Sequence, residues 1–265
     1  MSAGTRAPVL RPPSGLTVYY VALLALLYLP IALLLLFSIH DNTILSFPLK
    51  GLTLNWYQRV FEISGLLRAA RNSLFVALGS SLVATVLGTM VALLVGRFQF
   101  RGKILLVALA VLPLIVPFVV LGVALLLLFA ALGLDRSLWT VGIAHTVVGL
   151  PYVLLIVSSR LNGFDPHLEE AAMDLGADYL TTLRRIVLPI LAPAVLAAFL
   201  TAFTVSFDEF ALALFLAGPE PTFPVYLYGQ LRFANRLPIM IALAMLLLAA
   251  TVALAVAADR LRRSD

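Results

Sequence analysis

The sequence contains no cysteine among its 265 residues. A disulfide bond and a thiolate metal site are therefore excluded. The three histidines, His40, His145 and His167, are far apart and show no metal-ligand spacing. No G-x-x-x-x-G-K-[ST] phosphate loop occurs either. We therefore expect no metal site, no catalytic centre and no ATP-binding site in this chain.

Charged residues are also scarce. They make up 12% of the chain, whereas a soluble domain carries about 25%. Several apolar runs exceed the ~20 residues that a helix needs to cross ~30 Å of hydrocarbon. They do not alternate between apolar and polar residues as barrel strands do. The sequence therefore predicts an all-α membrane protein in contact with lipid, and its net charge of +5 does not indicate a nucleic-acid partner.

Six apolar segments predict six transmembrane helices, with both termini on the same side of the membrane. Their expected bounds are 16–38, 70–96, 104–132, 138–160, 191–216 and 237–258. Basic residues are densest in "GRFQFRGK" after the second span and in the "DRLRRSD" tail. Because Lys and Arg favour the cytoplasmic side, we expect both termini in the cytoplasm and one membrane domain over residues 1–265.

Two segments depart from simple spans. Pro113 and Pro117 should kink the third span, because each removes a backbone donor; the kink either moves during function or only shapes the packing. In the first outer loop, 39–69, four apolar residues recur at helical spacing: Trp56, Val60, Ile63 and Leu67. This pattern predicts a short amphipathic helix, which either lies on the membrane surface or packs over the bundle.

A polar segment, 161–190, separates the fourth and fifth spans. Asp165 is a suitable N-cap with Pro166 at the first helical position. Acidic residues come first and Arg184 and Arg185 come late, which complements the helix dipole. Gly176 predicts a turn between two short helices. Apolar residues form a stripe that packs either on the bundle itself or on a separate cytoplasmic protein: Ala172, Leu175, Tyr179, Leu183 and Ile186.

The same segment resembles a known family. It contains the pattern E-A-A-x3-G-x9-I-x-L-P at Glu170–Pro189, which is the EAA loop of membrane subunits of binding-protein-dependent ABC importers. "NSLFVALGSSLVATVLGTMVALLVGRF" at Asn72–Phe98 is similar to the second span of that family.

The resemblance implies the type I ABC importer permease fold, in a bacterial cytoplasmic (inner) membrane, with a coupling helix in the EAA loop. It also implies three protein partners: a dimer of ATPase subunits that binds ATP and Mg, a second permease subunit and an external substrate-binding protein. The implied ATPase-coupling residues are Glu169, Glu170, Ala171, Ala172, Asp174, Gly176, Ile186, Leu188 and Pro189.

The fifth predicted span contains two acids, Asp208 and Glu209. At 1.5 Å per residue they lie ~22 Å from the cytoplasmic end. A charge there costs at least ~2.5 kcal/mol, so each acid should face a water-filled path or a partner. The acids either form an ion pair, for instance with Arg71 or an outer-loop arginine, or bind a cationic substrate.

"SFDEF" followed by "GP...FPVYLYGQLR" resembles the spermidine/putrescine branch of the family. By this resemblance the substrate path contains Asp208 and Glu209, with aromatic side chains that would attract ammonium groups. The candidate aromatics are Phe207, Phe210 and Tyr226. The alternatives are the same importer class with iron, thiamine, phosphonate or another small solute, or an ion-coupled secondary transporter, which usually shows more spans or an inverted repeat.

Small residues in the second span, Gly79, Ser80, Ala84 and Gly88, predict close helix packing. Together with His145, the serines Ser80 and Ser81 also suggest an intramembrane serine protease. No orienting acid or oxyanion group accompanies them in the sequence, so we expect His145 to be a hydrogen-bonded core residue.

Overall fold

A computed structural model describes residues 14–44, 46–49 and 51–263. Within these ranges the chain is helical, apart from one isolated antiparallel bridge between His40 and Leu52. The charge pattern predicts that both chain ends are cytoplasmic, and both ends lie outside the described residues. The α-helices are α1 (Ser14–Ser38), α2 (Asn55–Val60), α3 (Ser64–Arg97), α4 (Lys103–Val111), α5 (Phe118–Ala131), α6 (Leu138–Asn162), α7 (His167–Asp174), α8 (Tyr179–Thr182), α9 (Leu188–Asp208), α10 (Ala211–Leu216), α11 (Phe223–Gln230) and α12 (Leu237–Arg263).

Among the described residues, five helices are long and apolar enough to cross a membrane, and the bent pair α4–α5 makes a sixth if it forms one crossing. This agrees with the predicted helical membrane protein. The predicted spans 16–38, 70–96, 138–160 and 237–258 fall within α1, α3, α6 and α12. Helix α3 begins six residues before the predicted span, since Ser64–Ala69 already belong to it.

The third predicted span bends through a much larger angle than the predicted kink. Helix α4 runs into a 3-10 turn at Leu112–Leu114, and α5 starts after Pro117 at an angle of 109°. Pro117 itself is extended, with ψ of 133°. A proline disfavours the helical conformation of the residue before it and supplies no N–H, so the local sequence explains where the helix breaks.

The prediction of one continuous helix over the fifth span, 191–216, was wrong. Helical structure begins earlier, at Tyr179, and passes through a π turn at Leu183–Val187 into α9. It then ends at Asp208, Glu209 is extended with ψ of 122°, and α10 is a separate helix. The break places both acids at a helix end rather than on a helix face.

The chain divides into two compact units, and the first combines residues 1–63 with residues 230–265. Here α12 packs against α1 and α2. Trp56 and Val60 of α2 are buried, and the Trp56 indole donates a hydrogen bond to the carbonyl of His40 at 2.8 Å. Helix α2 therefore packs over its neighbours, which decides between the two interpretations of the first outer loop. Leu67 belongs instead to α3 and is 77% exposed.

The second unit, residues 64–229, is built around α3, α6 and α9. Small residues bring these helices close together. A Cβ atom on Gly88 of α3 would lie 2.7 Å from the Cβ atom of Val153 on α6, and one on Gly149 would lie 3.1 Å from that of Ala84. The predicted close packing of the second span is thus confirmed at Ala84 and Gly88, whereas a Cβ atom on Gly79 would meet nothing within 4 Å.

This difference predicts opposite outcomes for two alanine substitutions on the same helix. Gly88→Ala forces α3 away from α6 and should destabilise the protein by about 1–3 kcal/mol. Gly79→Ala adds a methyl group in open space and should stay within about 1 kcal/mol of the parent, on the stable side because alanine favours helix. Thermal unfolding of the two purified variants in detergent measures both effects; equal midpoints would contradict the packing argument.

Candidate functional site

The polar segment between α6 and α9 forms a helix, a turn and a second helix, as predicted. The backbone N–H of His167, the first residue of α7, donates to the Asp165 carboxylate at 3.0 Å. The N-cap position of α7 is Pro166 rather than the predicted Asp165, because the helix begins one residue later than expected, but the Asp165 carboxylate still accepts from its first N–H. Glu169 and Glu170 lie in the first turn of α7, where a negative charge favours the helix dipole.

His167 adds a charge-dependent contact at the exposed start of α7. Its Nδ1 lies 2.9 Å from Oε2 of Glu170. This hydrogen bond, together with the negative charges of Asp165 and Glu170, raises the pKa of His167 above its ordinary value. Protonation of His167 therefore strengthens the contact below that raised pKa, and the contact weakens as the pH rises through it.

Gly176 makes the turn after α7. Its φ of +88° lies in the left-handed region, which glycine adopts most readily. The N–H of Ala177 donates to the carbonyl of Ala172 at 3.0 Å, and that of Gly176 to Met173 at 2.9 Å. This is the hydrogen-bond pattern of a Schellman motif.

Asp178 then caps α8, because its carboxylate accepts from the N–H of Thr181 at 3.0 Å. A hydrogen bond with the Thr181 side chain, followed by the one from the Thr181 backbone N–H, lowers the pKa of Asp178.

The predicted apolar stripe is divided between two surroundings. Leu183 and Ile186 are half-buried and pack against the core around Val187 and Leu191. In contrast, Leu175 is 89% exposed and Tyr179 is 50% exposed. The stripe therefore serves the bundle in its second half and leaves an apolar surface in its first half, to which Leu168, Met173 and Leu180 add exposed side chains.

The nine coupling residues that the resemblance implies have different surroundings. Exposed residues are Glu170, Ala171, Asp174, Gly176, Leu188 and Pro189, whereas Ala172 and Ile186 are half-buried. Glu169 forms an ion pair with Arg97 at the end of α3, and its side chain is only 14% exposed. The structure thus separates Glu169 from its neighbour Glu170.

The break between α9 and α10 is held by the carboxylate of Glu209. It accepts hydrogen bonds from the backbone N–H of Leu212 at 2.9 Å and of Ala213 at 3.1 Å. Glu209 therefore caps the start of α10 with its side chain, which is buried.

The Glu209 carboxylate also contacts α6. Nε2 of His145 lies 3.3 Å from its Oε2, and Nδ1 of His145 lies 2.7 Å from Oγ of Ser206. Oγ of Ser206 in turn lies 2.9 Å from Oγ of Ser80 on α3. These four buried side chains, which we call the buried network, connect α3, α6, α9 and the start of α10.

The buried network confirms that His145 is a hydrogen-bonded core residue. It corrects two other expectations. The partner of Glu209 is His145 rather than Arg71 or another outer-loop arginine, and an acid does accompany His145. The arrangement of Ser206, His145 and Glu209 follows the order of a hydrolase triad. However, the three side chains are 3–6% exposed, and the Ser206 hydroxyl is engaged by Ser80, so the arrangement holds helices together.

Asp208 has the opposite environment, since it is exposed and lines a cleft of about 370 Å³. The other lining residues are Phe118, Tyr152, Thr204, Val205, Glu209 and Phe210. The cleft combines a free carboxylate with aromatic rings, which is the chemistry that attracts organic ammonium groups. Phe210 also contacts Tyr228, with ring centroids 5.0 Å apart.

Two of the predicted path residues do not line this cleft. Phe207 stacks between Phe203 and Phe223, at centroid distances of 6.0 and 6.3 Å. Tyr226 packs against Gly65, where a Cβ atom would lie 2.8 Å from its hydroxyl oxygen. The structure therefore brings together Asp208, Glu209 and Phe210, and leaves the other two aromatics in packing contacts.

Comparison with known proteins decides the family. Residues 84–264 match the family model described as "Binding-protein-dependent transport system inner membrane component". The chain belongs to this family. It is 35% identical over 243 residues to the spermidine/putrescine transport system permease protein PotC of Haemophilus influenzae, covering 91% of this chain and 93% of that protein.

Two further relatives and two solved structures are also similar to this permease. It is 34% identical to PotC of Escherichia coli K12 (92% of each chain) and to the putrescine permease PotI of the same strain (92% of this chain, 88% of PotI). The fold matches a bacterial transporter for alginate import with a TM-score of 0.69 (96% and 99% covered). It matches the MetNI methionine ABC transporter with a TM-score of 0.60 (75% and 95% covered). These matches, at 15% and 19% identity, confirm the predicted ABC importer permease fold.

Sequence reasoning missed two aromatic residues of the cleft in this permease. Phe118 follows Pro117 at the sharp bend, and Tyr152 follows Pro151 inside α6. Each had the signal of an adjacent proline, which marks a local change of helix direction. That both rings line the same cleft as Asp208 depends on how α5, α6 and α9 pack, and no local pattern encodes this.

Proposed function

We propose that this permease is one half of the translocation path of an ATP-driven polyamine importer. The observation that carries the proposal is Asp208, an exposed carboxylate at a helix break in an aromatic-lined cleft. A polyamine is a chain of ammonium groups separated by methylenes, so a carboxylate neutralises its charge and aromatic faces attract it. The names of the relatives PotC and PotI support the same substrate class.

We also propose the orientation. The α7–α8 segment faces the cytoplasm, and both termini lie on that side of the bacterial inner membrane. Supporting this, Arg101 and Lys103 follow α3 at the end of the bundle that carries α7, and basic residues favour the cytoplasmic side. In this orientation the cleft with Asp208 lies about 30 Å from the start of α9, near the opposite surface.

The partners in the proposed transporter are a dimer of ATPase subunits, a second and related permease chain and a binding protein outside the membrane. ATP and Mg would bind to the ATPase, since this chain has no phosphate loop. The exposed surface formed by Leu168, Met173, Leu175, Tyr179 and Leu180 supports docking of the ATPase. Solvent-exposed apolar residues on a rigid helix–turn–helix segment are typical of a protein–protein contact.

The proposal is tested by uptake of radiolabelled spermidine into proteoliposomes that contain the complete transporter with its binding protein and ATP. We expect Asp208→Asn to lower spermidine uptake by about tenfold, because the neutral amide removes an attraction of roughly 1–2 kcal/mol. Binding-protein-stimulated ATP hydrolysis should persist, since Asp208 lies at the far end of α9 from the polar segment.

Asp135→Asn is the matched control. Asp135 is also exposed but lies between α5 and α6 and is not among the residues that line the cleft, so its neutralisation should leave uptake unchanged. Equal uptake by the parent and the Asp208→Asn variant would remove Asp208 from the path. Failure of the parent complex to take up spermidine, while it takes up another solute, would refute the polyamine assignment.

A further inference from the structure

We propose that Arg97 and Phe98, the last residue of α3 and its successor, fix the α7–α8 segment to the transmembrane bundle and transmit its movement. This inference rests on the proposed coupling of that segment to an ATPase. We call the two residues the α3 anchor. In this arrangement Glu169 is a positioning residue within the chain, and the ATPase contact is left to the exposed residues of α7 and the turn.

The first contact of the α3 anchor joins Arg97 to α7. The guanidinium forms an ion pair with Glu169, and the two side chains are 20% and 14% exposed. The guanidinium also lies over the ring of Phe164, 4.9 Å from its centroid. Phe164 is buried in the core cluster that includes Leu161 and Val187. Because the pair is mostly shielded from water and rests on a fixed ring, it holds α7 more firmly than an exposed ion pair would.

The second contact joins Phe98 to α8. Its ring and that of Tyr179 are 6.3 Å apart between centroids and inclined by 64°, an edge-to-face arrangement that aromatic pairs favour. Two adjacent residues at the end of α3, Arg97 and Phe98, therefore contact the two helices on either side of the Gly176 turn. A segment held at two points moves with its anchor, whereas a segment held at one point can pivot.

Helix α3 continues from this anchor to the opposite end of the bundle. It is 34 residues long and packs against α6 and α9, and its Ser80 belongs to the buried network beside the α9–α10 break. A displacement of α7 and α8 thus reaches the elements next to Asp208 through one continuous helix.

The two neighbouring glutamates consequently have different roles. The side chain of Glu170 is 64% exposed, and its ion-pair partner is the exposed His167, which lies on the same helix. Glu169 points to Arg97 instead. A charge reversal at Glu169 should therefore be compensated by a charge reversal at Arg97, whereas a charge reversal at Glu170 should not be.

A charge exchange tests this in the complete transporter. We expect Arg97→Glu and Glu169→Arg each to lower spermidine uptake per ATP hydrolysed by about fivefold or more, and the double variant to return to within about twofold of the parent. Co-purification of the ATPase should be retained in all three. Glu170→Arg is the matched control: we expect it to lose ATPase co-purification and to gain nothing from added Arg97→Glu.

Hydrogen exchange of the α7 and α8 amides provides a second measurement that needs no transported substrate. Exchange should rise by about tenfold in each single variant and return towards the parent in the double variant. No recovery in the double variant, in either measurement, would overturn the proposal, as would parental exchange in the single variants. A parent that takes up another solute but not spermidine, and that still shows this exchange pattern, would refute the polyamine assignment and leave the α3 anchor supported.

Discussion

Replacement of Gly176 by valine is expected to reduce uptake by more than about tenfold while the protein still inserts into the membrane. The φ of +88° at Gly176 costs an L-residue about 1–2 kcal/mol, and a β-branched residue more. A Cβ atom at this position would meet no other part of the protein within 4 Å, so the strain comes from the local backbone conformation and not from a clash with a packed neighbour. The turn would open, and α7 and α8 would no longer present one surface.

Asparagine is the informative comparison at the same position, because it adopts the left-handed region more readily than valine. We expect Gly176→Asn to retain a large part of the uptake. Immunoblotting of membranes separates lost insertion from lost coupling, and co-purification of the ATPase measures docking. Parental uptake by the valine variant, or equal loss in both variants, would contradict the role assigned to this turn.

The success of the sequence in this segment has a local cause. The carboxylates of Asp165 and Asp178 accept backbone N–H groups from the first turns of the helices that follow them, and Gly176 closes the turn between the two helices. Each of these signals acts over three or four residues, so the local sequence is sufficient to predict the backbone conformation here. The same holds for the bend at Pro117, where the missing N–H and the restricted preceding residue determine the break.

The break at Glu209 is different, and the sequence alone did not predict it. The apolar run from Leu191 to Leu216 would satisfy one continuous span, and no proline or glycine interrupts it after Pro193. The helix breaks because the Glu209 carboxylate takes the N–H groups of α10 and meets His145, which is far away in the sequence on α6. Such a tertiary contact overrides local helix preference.

Because the break was not predicted, the sequence could not distinguish the roles of the two acids at the end of α9. Adjacent residues on a continuous helix point about 100° apart, which left open whether Asp208 or Glu209 faces a path. The break gives the two acids different surroundings, since Glu209 is buried in the network and Asp208 is exposed in the cleft. In the proposed importer, substrate contact would therefore fall to Asp208, whereas Glu209 is a structural cap.

His145→Leu is expected to destabilise the permease by about 3 kcal/mol, which is the scale for leaving a buried carboxylate without one of its polar partners. Leucine has a similar volume, so the loss comes from the contacts to Glu209 and Ser206 and not from a cavity. The start of α10 would loosen, because its capping carboxylate loses its contact with α6. A fall of several degrees in the thermal unfolding midpoint in detergent measures this.

Two comparisons show whether this loss comes from the buried network. Ser81→Ala removes a buried hydroxyl that is not part of the buried network and that donates to the carbonyl of Leu78 on its own helix, at 3.2 Å. This substitution should lower the free energy of unfolding by less than about 1 kcal/mol. His145→Gln keeps an N–H donor and should lie between the two. If His145→Leu unfolds at the parental temperature, the network does not hold the break, and the exposure of Asp208 needs another explanation. If the order of the three variants is the expected one, the break that exposes the Asp208 carboxylate is stabilised by His145, a residue that does not line the cleft.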